Sequence, residues 1–245
     1  MGKYYKWAFA LIAPLLLAGC LLVPGKFESQ LLLMNDGTYS FTYNGQMQLA
    51  DEDDSAMSSP DSMTDDDSSK SRTKDDEQKN AAMRSVFGGM VPGDDEGLTK
   101  FAAQLAKYDG WNKVEYMGNN LFEVEYAVSG NFDQMFAFPT LPGATMQFPF
   151  VQIIRRNGGE IEILTPAMAG PGGLAGAMGP MPIGDSGETM EPIDGNFTIE
   201  TDGEVLSNNS VDGYSISGAM KNLYWKVDEA SSAGRSPRAI IKLNR

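Results

Sequence analysis

Alternation of apolar and polar side chains is the dominant pattern in this chain. From residue 38 to 49, Tyr39, Phe41, Tyr43, Met47 and Leu49 share one parity with Gly45. Thr38, Ser40, Thr42, Asn44, Gln46 and Gln48 hold the other. A period of two with one apolar side is a strand that is wet on one face. Asn35-Asp36-Gly37 stands before it, and Leu31 to Met34 before that. Asp-Gly between apolar runs supplies positions that accept positive φ, so the pattern predicts a hairpin. Val114, Tyr116, Phe122, Val124, Tyr126 and Val128 predict a second hairpin around Gly118-Asn119-Asn120. Asn131 to Phe138 is a further strand, ended by Pro139, and Phe148 to Arg156 pairs with Glu160 to Leu164 across Asn157-Gly158-Gly159. Asn196 to Thr201, Tyr214 to Gly218, Leu223 to Asp228 and Arg238 to Leu243 bring the total to roughly ten strands.

A helical period is clear once. Leu98, Phe101, Ala102, Leu105 and Ala106 recur at helical spacing, opened by Asp94-Asp95-Glu96 and closed by Asp109-Gly110. Ala81 to Phe87 is a candidate for a shorter helical piece. Hairpins dominate and no strand–helix–strand rhythm is present. The expected fold class is therefore α+β, a mainly antiparallel sheet of hairpins with one or two helices, with all-β as the alternative.

Two stretches break the pattern. Residues 51–80 hold 11 acidic and 4 basic residues, with Ala56, Met57 and Met63 as the apolar side chains. Such a stretch cannot bury enough apolar area to offset its chain entropy and is expected to be a disordered, solvated insert. Residues 166–192 hold 7 Gly, 5 Pro and 4 Met in 27 positions, which predicts a long loop.

The amino terminus changes the picture most. Met1-Gly2-Lys3-Tyr4-Tyr5-Lys6 is followed by an apolar run from Trp7 to Leu17 and then by Ala18-Gly19-Cys20. A basic start and an apolar stretch too short to span a bilayer mark a secretory signal. Leu17-Ala18-Gly19-Cys20 resembles the lipobox of bacterial lipoproteins, and Cys20 is the one cysteine of the chain. The resemblance implies cleavage between Gly19 and Cys20, a diacylglycerol on the Cys20 thiol, and often a fatty acyl group such as palmitate on its new amine. Each buried methylene contributes about 0.8 kcal/mol, so one chain anchors marginally and two or more anchor stably. In such proteins an Asp after the cysteine retains the chain at the inner membrane. Leu21 stands there, which implies outer-membrane delivery in a host that has one. The organisation is then a signal peptide at 1–19, a short acylated tether at 20–25, and one domain over 26–245 interrupted by 51–80 and 166–192. A six-residue tether reaches at most about 20 Å, so the domain is expected close to the bilayer.

Composition limits the chemistry. There is no histidine, which removes the commonest general base and metal ligand, and a single cysteine excludes an intrachain disulfide or a cysteine-cluster zinc site. The formal charge of −14 disfavours nucleic acid as a partner. No nucleophile elbow, phosphate loop or dinucleotide fingerprint is present, and Ser71 to Lys74, an S-x-x-K match, lies in the acidic stretch. Glu123 and Glu125 stand two apart on a strand. They are candidates for paired carboxylates of an envelope hydrolase, or simply for the wet face. Met168, Met178, Met181 and Met190 offer thioethers to Cu(I), without the His or Cys that would strengthen such a site. Tyr108, Trp111, Tyr224 and Trp225 are candidates for a ligand cleft, although aromatics at strand parity are more often core.

The cysteine-proximal hairpin and antiparallel α+β pattern resemble small envelope lipoproteins of unknown role, including the LppM-like group. That resemblance is one of architecture and carries over no functional residue. The expectation is a non-enzymatic lipoprotein without cofactor or metal, held to the envelope membrane through Cys20 and binding a partner protein or an envelope lipid. A carboxylate-based hydrolase and a metal-handling protein using the methionine loop are the alternatives.

Overall fold

The computed structural model describes residues 22–49, 90–133, 135–144, 149–169, 192–228 and 236–244. Among them are twelve strands: β1 Leu22–Leu33, β2 Thr38–Leu49, β3 Trp111–Gly118, β4 Leu121–Asn131, β5 Met135–Phe138, β6 Val151–Arg155, β7 Glu160–Leu164, β8 Asp194–Thr201, β9 Glu204–Asn208, β10 Tyr214–Ser217, β11 Met220–Asp228 and β12 Arg238–Lys242. One α-helix, α1 at Asp95–Leu105, stands between β2 and β3. A seven-stranded sheet runs β10-β11-β8-β1-β2-β4-β3, and a five-stranded sheet runs β5-β6-β7-β12-β9. The described chain is thus mostly β and mostly antiparallel. It agrees with the all-β alternative and leaves the α+β class resting on a single helix.

The hairpins form where the turn residues allow them. β1 pairs β2 with Leu31 opposite Phe41 and Leu33 opposite Tyr39. β3 pairs β4 with Val114 opposite Val124 and Tyr116 opposite Phe122. At the β3–β4 turn, Asn119 and Asn120 have φ of 52° and 60°, the consecutive left-handed pair that matches the twist of the flanking strands. Helix α1 is capped by the Asp94 side chain, which accepts from the Gly97 N–H at 3.0 Å. It buries Leu98, Phe101, Ala102 and Leu105, and Phe101 meets Phe122 of β4 edge to face at 6.2 Å.

Both sheets feed one core. The ring of Phe138 at the end of β5 lies 4.6 Å from that of Tyr126, 4.9 Å from Tyr43, 5.2 Å from Phe41, 5.7 Å from Trp111 and 5.9 Å from Phe150. Aromatic pairs of this kind contribute about 0.5–1.5 kcal/mol each beyond the area they bury. The second sheet is thereby held face to face against β2 and β4.

Four features differ from the sequence pattern. The first strand starts at Leu22 and takes in Leu22–Gly25, all buried, rather than starting near Lys26. Pro24-Gly25 interrupts the alternation because it sits at a bulge: the register shifts between Pro24 and Phe27, so Gly25 and Lys26 together face Gln46. Bulges are where a strand tolerates proline. Second, β1 and β8 pair in parallel, Lys26 opposite Asp194 through Leu33 opposite Thr201. A parallel pair needs a long crossover, and here β2 to β7 and helix α1 lie between the two strands in the chain, so no local signal announces it. Third, β9 has the weak pattern Glu-Val-Leu-Ser-Asn. It forms at a sheet edge by pairing with β12, where Val205 faces Ile241. Fourth, the stretch from residue 166 does not begin as open loop. Pro166–Ala169 is a 3-10 turn with Ala167 and Met168 buried in the core. The helical candidate at 81–87 and the insert at 51–80 lie outside the described residues.

Candidate functional site

The seven-stranded sheet keeps one face for the core and turns the other outward. Cross-strand register fixes what the outward face carries. Lys226 on β11 stands opposite Asn196 on β8, which stands opposite Glu28 on β1. Glu28 opposes Asn44 on β2, Asn44 opposes Glu125 on β4, and Glu125 opposes Lys113 on β3. A neighbouring row runs from Asp228 through Asp194 to Lys26, and across the bulge to Gln46, Glu123 and Glu115. The two rows enclose a shallow hollow of about 460 Å³ whose lining includes Lys26, Glu28, Asn44, Glu123, Glu125, Asp194, Asn196 and Lys226.

The hollow exists because of three residues beneath it. Phe27 lies between Gly45 on β2 and Gly195 on β8 in the register. A Cβ on Gly45, where φ is +146°, would sit 2.2 Å from the Lys26 carbonyl oxygen. A Cβ on Gly195 would sit 2.3 Å from the Phe27 ring. Two flanking positions without side chains let the bulged strand β1 settle between its neighbours. The Phe27 ring then stacks on Tyr43 at 5.4 Å and 12° on the core side. Gly45 and Gly195 contribute only backbone to the hollow.

Its electrostatics are acidic: four carboxylates, Glu28, Glu123, Glu125 and Asp194, stand against the ammonium groups of Lys26 and Lys226. Lys226 pairs with Asp194. That hydrogen bond, the largest influence on it, raises the Lys226 pKa. The Tyr224 hydroxyl donates to Asn196 Oδ1 at 2.7 Å on the same face. Beneath, the Tyr43 hydroxyl donates to the Gln46 carbonyl oxygen at 2.6 Å. Burial first, and the Glu123 carboxylate second, push its pKa well above the ordinary tyrosine value. This chemistry suits hydroxyl-rich or cationic groups and gives an acyl chain nothing to rest on.

The residues singled out from the sequence separate. Glu123 and Glu125 do lie on one face, with Phe122 and Val124 buried on the other; both line the hollow, Glu125 exposed and Glu123 half-buried. Tyr108, Trp111, Tyr224 and Trp225 do not form a common cleft. Trp111 and Trp225 are core, whereas Tyr108 and Tyr224 are exposed. Met168 is fully buried and has no face to offer a metal, while Met178, Met181 and Met190 lie outside the described residues. Gly19 and Cys20 also lie outside them. Among the described residues no group of His, Cys, Asp and Glu has metal-binding geometry, and no helix is long and apolar enough to cross a membrane. Glu28, Asn44, Asp194, Asn196 and Lys226 were not distinguished from other wet-face residues by sequence. Their only signal was polar parity, and the parallel β1–β8 pairing that gathers them is invisible locally.

No protein-family model matches the chain, and no curated protein does. Among solved structures, the NMR structure of the folded domain of the Mycobacterium tuberculosis LppM protein aligns over 91% of this chain and 93% of its own. The sequence identity is 14% and the TM-score is 0.33, a likeness too distant to carry an argument about fold or function.

Proposed function

We propose that this chain is a non-enzymatic bacterial envelope lipoprotein, fastened through Cys20 and receiving a partner protein or the polar part of an envelope lipid close to the bilayer. The observation that carries the reading is the Leu17-Ala18-Gly19-Cys20 lipobox, two residues ahead of the strand that opens the fold. A folded core that begins at Leu22 leaves the anchor almost no slack, so whatever the domain binds is met at the membrane surface. The acidic hollow supports a ligand with hydroxyl or amine groups, and the outer membrane is the expected destination where the host has one, because Leu21 follows the cysteine.

Metabolic labelling with palmitate tests the anchor. The wild-type chain is expected to incorporate label and to partition into the detergent phase. Cys20→Ala is expected to incorporate none and to retain residues 1–19. Equal incorporation by the two would overturn the reading.

A further inference from the structure

We infer that the end of the sandwich at which β1 starts is the surface resting on the bilayer, with Met117 at the point of contact. This rests on the lipid anchor proposed above. Only Leu21 separates Cys20 from Leu22, and two residues span at most about 7 Å. Leu22 cannot swing away to lengthen the link, because it is buried and paired with Leu49. The acylated residue therefore sits beside this end, while β1 carries the chain off it. Eleven strand steps place Leu33 roughly 36 Å farther along.

Hydrogen bonds tie the elements at this end into one platform. The Leu49 N–H donates to the Asn120 carbonyl at 2.9 Å, and the Gly93 N–H donates to Asn120 Oδ1 at 2.9 Å. The Asn120 N–H donates to the Tyr116 hydroxyl oxygen at 3.2 Å, and that hydroxyl donates to Asp95 at 2.5 Å. The end of β2, the β3–β4 turn and the start of α1 are thus held together. From this platform Met117 projects at the bulge between Tyr116 and Gly118, 56% exposed and beside the exposed Asn119. A flexible thioether is suited to entering a headgroup layer without a fixed pocket.

Charge decides which bilayer. Asp94, Asp95 and Glu96 open α1 at the same end. Anionic headgroups would be repelled by this concentration of carboxylates, so the surface fits a zwitterionic one.

The test uses the full acylated protein, purified from a bacterial envelope and reconstituted with phosphatidylcholine vesicles. The lipid occupies the native thiol, so single cysteines introduced by Met117→Cys or Ile216→Cys accept an environment-sensitive fluorophore uniquely. Ile216 is 69% exposed at the opposite end, opposite Lys221, which registers through Thr201 to Leu33. With a nitroxide-labelled lipid in the vesicles, quenching at 117 is expected to exceed that at 216 by at least about threefold. Equal quenching, or more at 216, in protein that floats with the vesicles overturns the orientation and leaves the anchor standing. Protein that does not float overturns both.

Discussion

Tyr43 shows how one residue links packing to pH. Its strand parity places it inward, and it is fully buried against Phe27, Phe138 and Phe150. Its hydroxyl satisfies the Gln46 carbonyl, and burial plus the nearby Glu123 carboxylate disfavour the phenolate. Tyr126 is shifted the same way, by burial first and Tyr39 second, and Tyr39 by burial. A pKa raised in the fold means the native state keeps a proton that the unfolded chain releases above about pH 10. The contribution is complete below that value and is lost as pH rises through and beyond it. The melting temperature is therefore expected to fall as pH is raised past about 10, and Tyr43→Phe is expected to flatten that decline, a comparison that calorimetry over an alkaline series makes directly. Parity alone foretold a buried tyrosine; the neighbouring carboxylate came from the β2–β4 register.

At the scale of the element, the β1–β2 pair depends on its bulge. The Pro24-Gly25 dipeptide marks an interruption in the sequence, and the structure shows the strand continuing through it, with Gly25 and Lys26 facing Gln46. Gly45 is the counterpart on β2. Its φ is positive, and an added methyl would meet the Lys26 carbonyl oxygen at 2.2 Å, which leaves no room for alanine. Gly45→Ala is expected to cost about 2–4 kcal/mol. In denaturant titration this would read as a lower midpoint with little change in slope, and a midpoint within error of the parent would show that β1 can move aside. The same substitution should flatten the hollow, since it pushes on the strand that carries Lys26 and Glu28. Helix α1, by contrast, has little hidden: its acidic cap and apolar stripe are local and form where the 3.6-residue period places them, although it ends at Leu105, ahead of the Asp109-Gly110 stop, and leaves Ala106 exposed as its C-cap.

For the molecule as a whole, the question is what the long acidic stretch does to a core it interrupts. Leu49 and Gly93, which stand on either side of it, both hydrogen-bond to Asn120, so the two ends of the excursion are brought together by described structure. Loop-closure entropy changes slowly with length, and the stretch has almost no apolar side chain to bury. Deleting 52–79 is expected to shift the melting temperature by less than about 3 °C. A fall beyond about 10 °C in a thermal scan would mean that the stretch packs on the domain.

Alternation, turn residues and the helix stripe were enough to place the β1–β2, β3–β4 and β6–β7 hairpins, the helix with its cap, and the wet face bearing Glu123 and Glu125, because each depends on side chains a few positions apart. The resemblance of Leu17-Ala18-Gly19-Cys20 to a lipobox is likewise carried by four consecutive residues. Which strands lie beside one another across the chain was not legible. The parallel seating of β8 on β1, the late edge strand β9, the inward turn of Met168 and the assembly of Lys26, Glu28, Asp194 and Lys226 around one hollow were all decided by tertiary pairing. The physical reason is range: local periodicity encodes which way a side chain points, whereas register between distant strands is selected by burying one shared core, where Phe27 fits only between two glycines brought together from opposite ends of the chain.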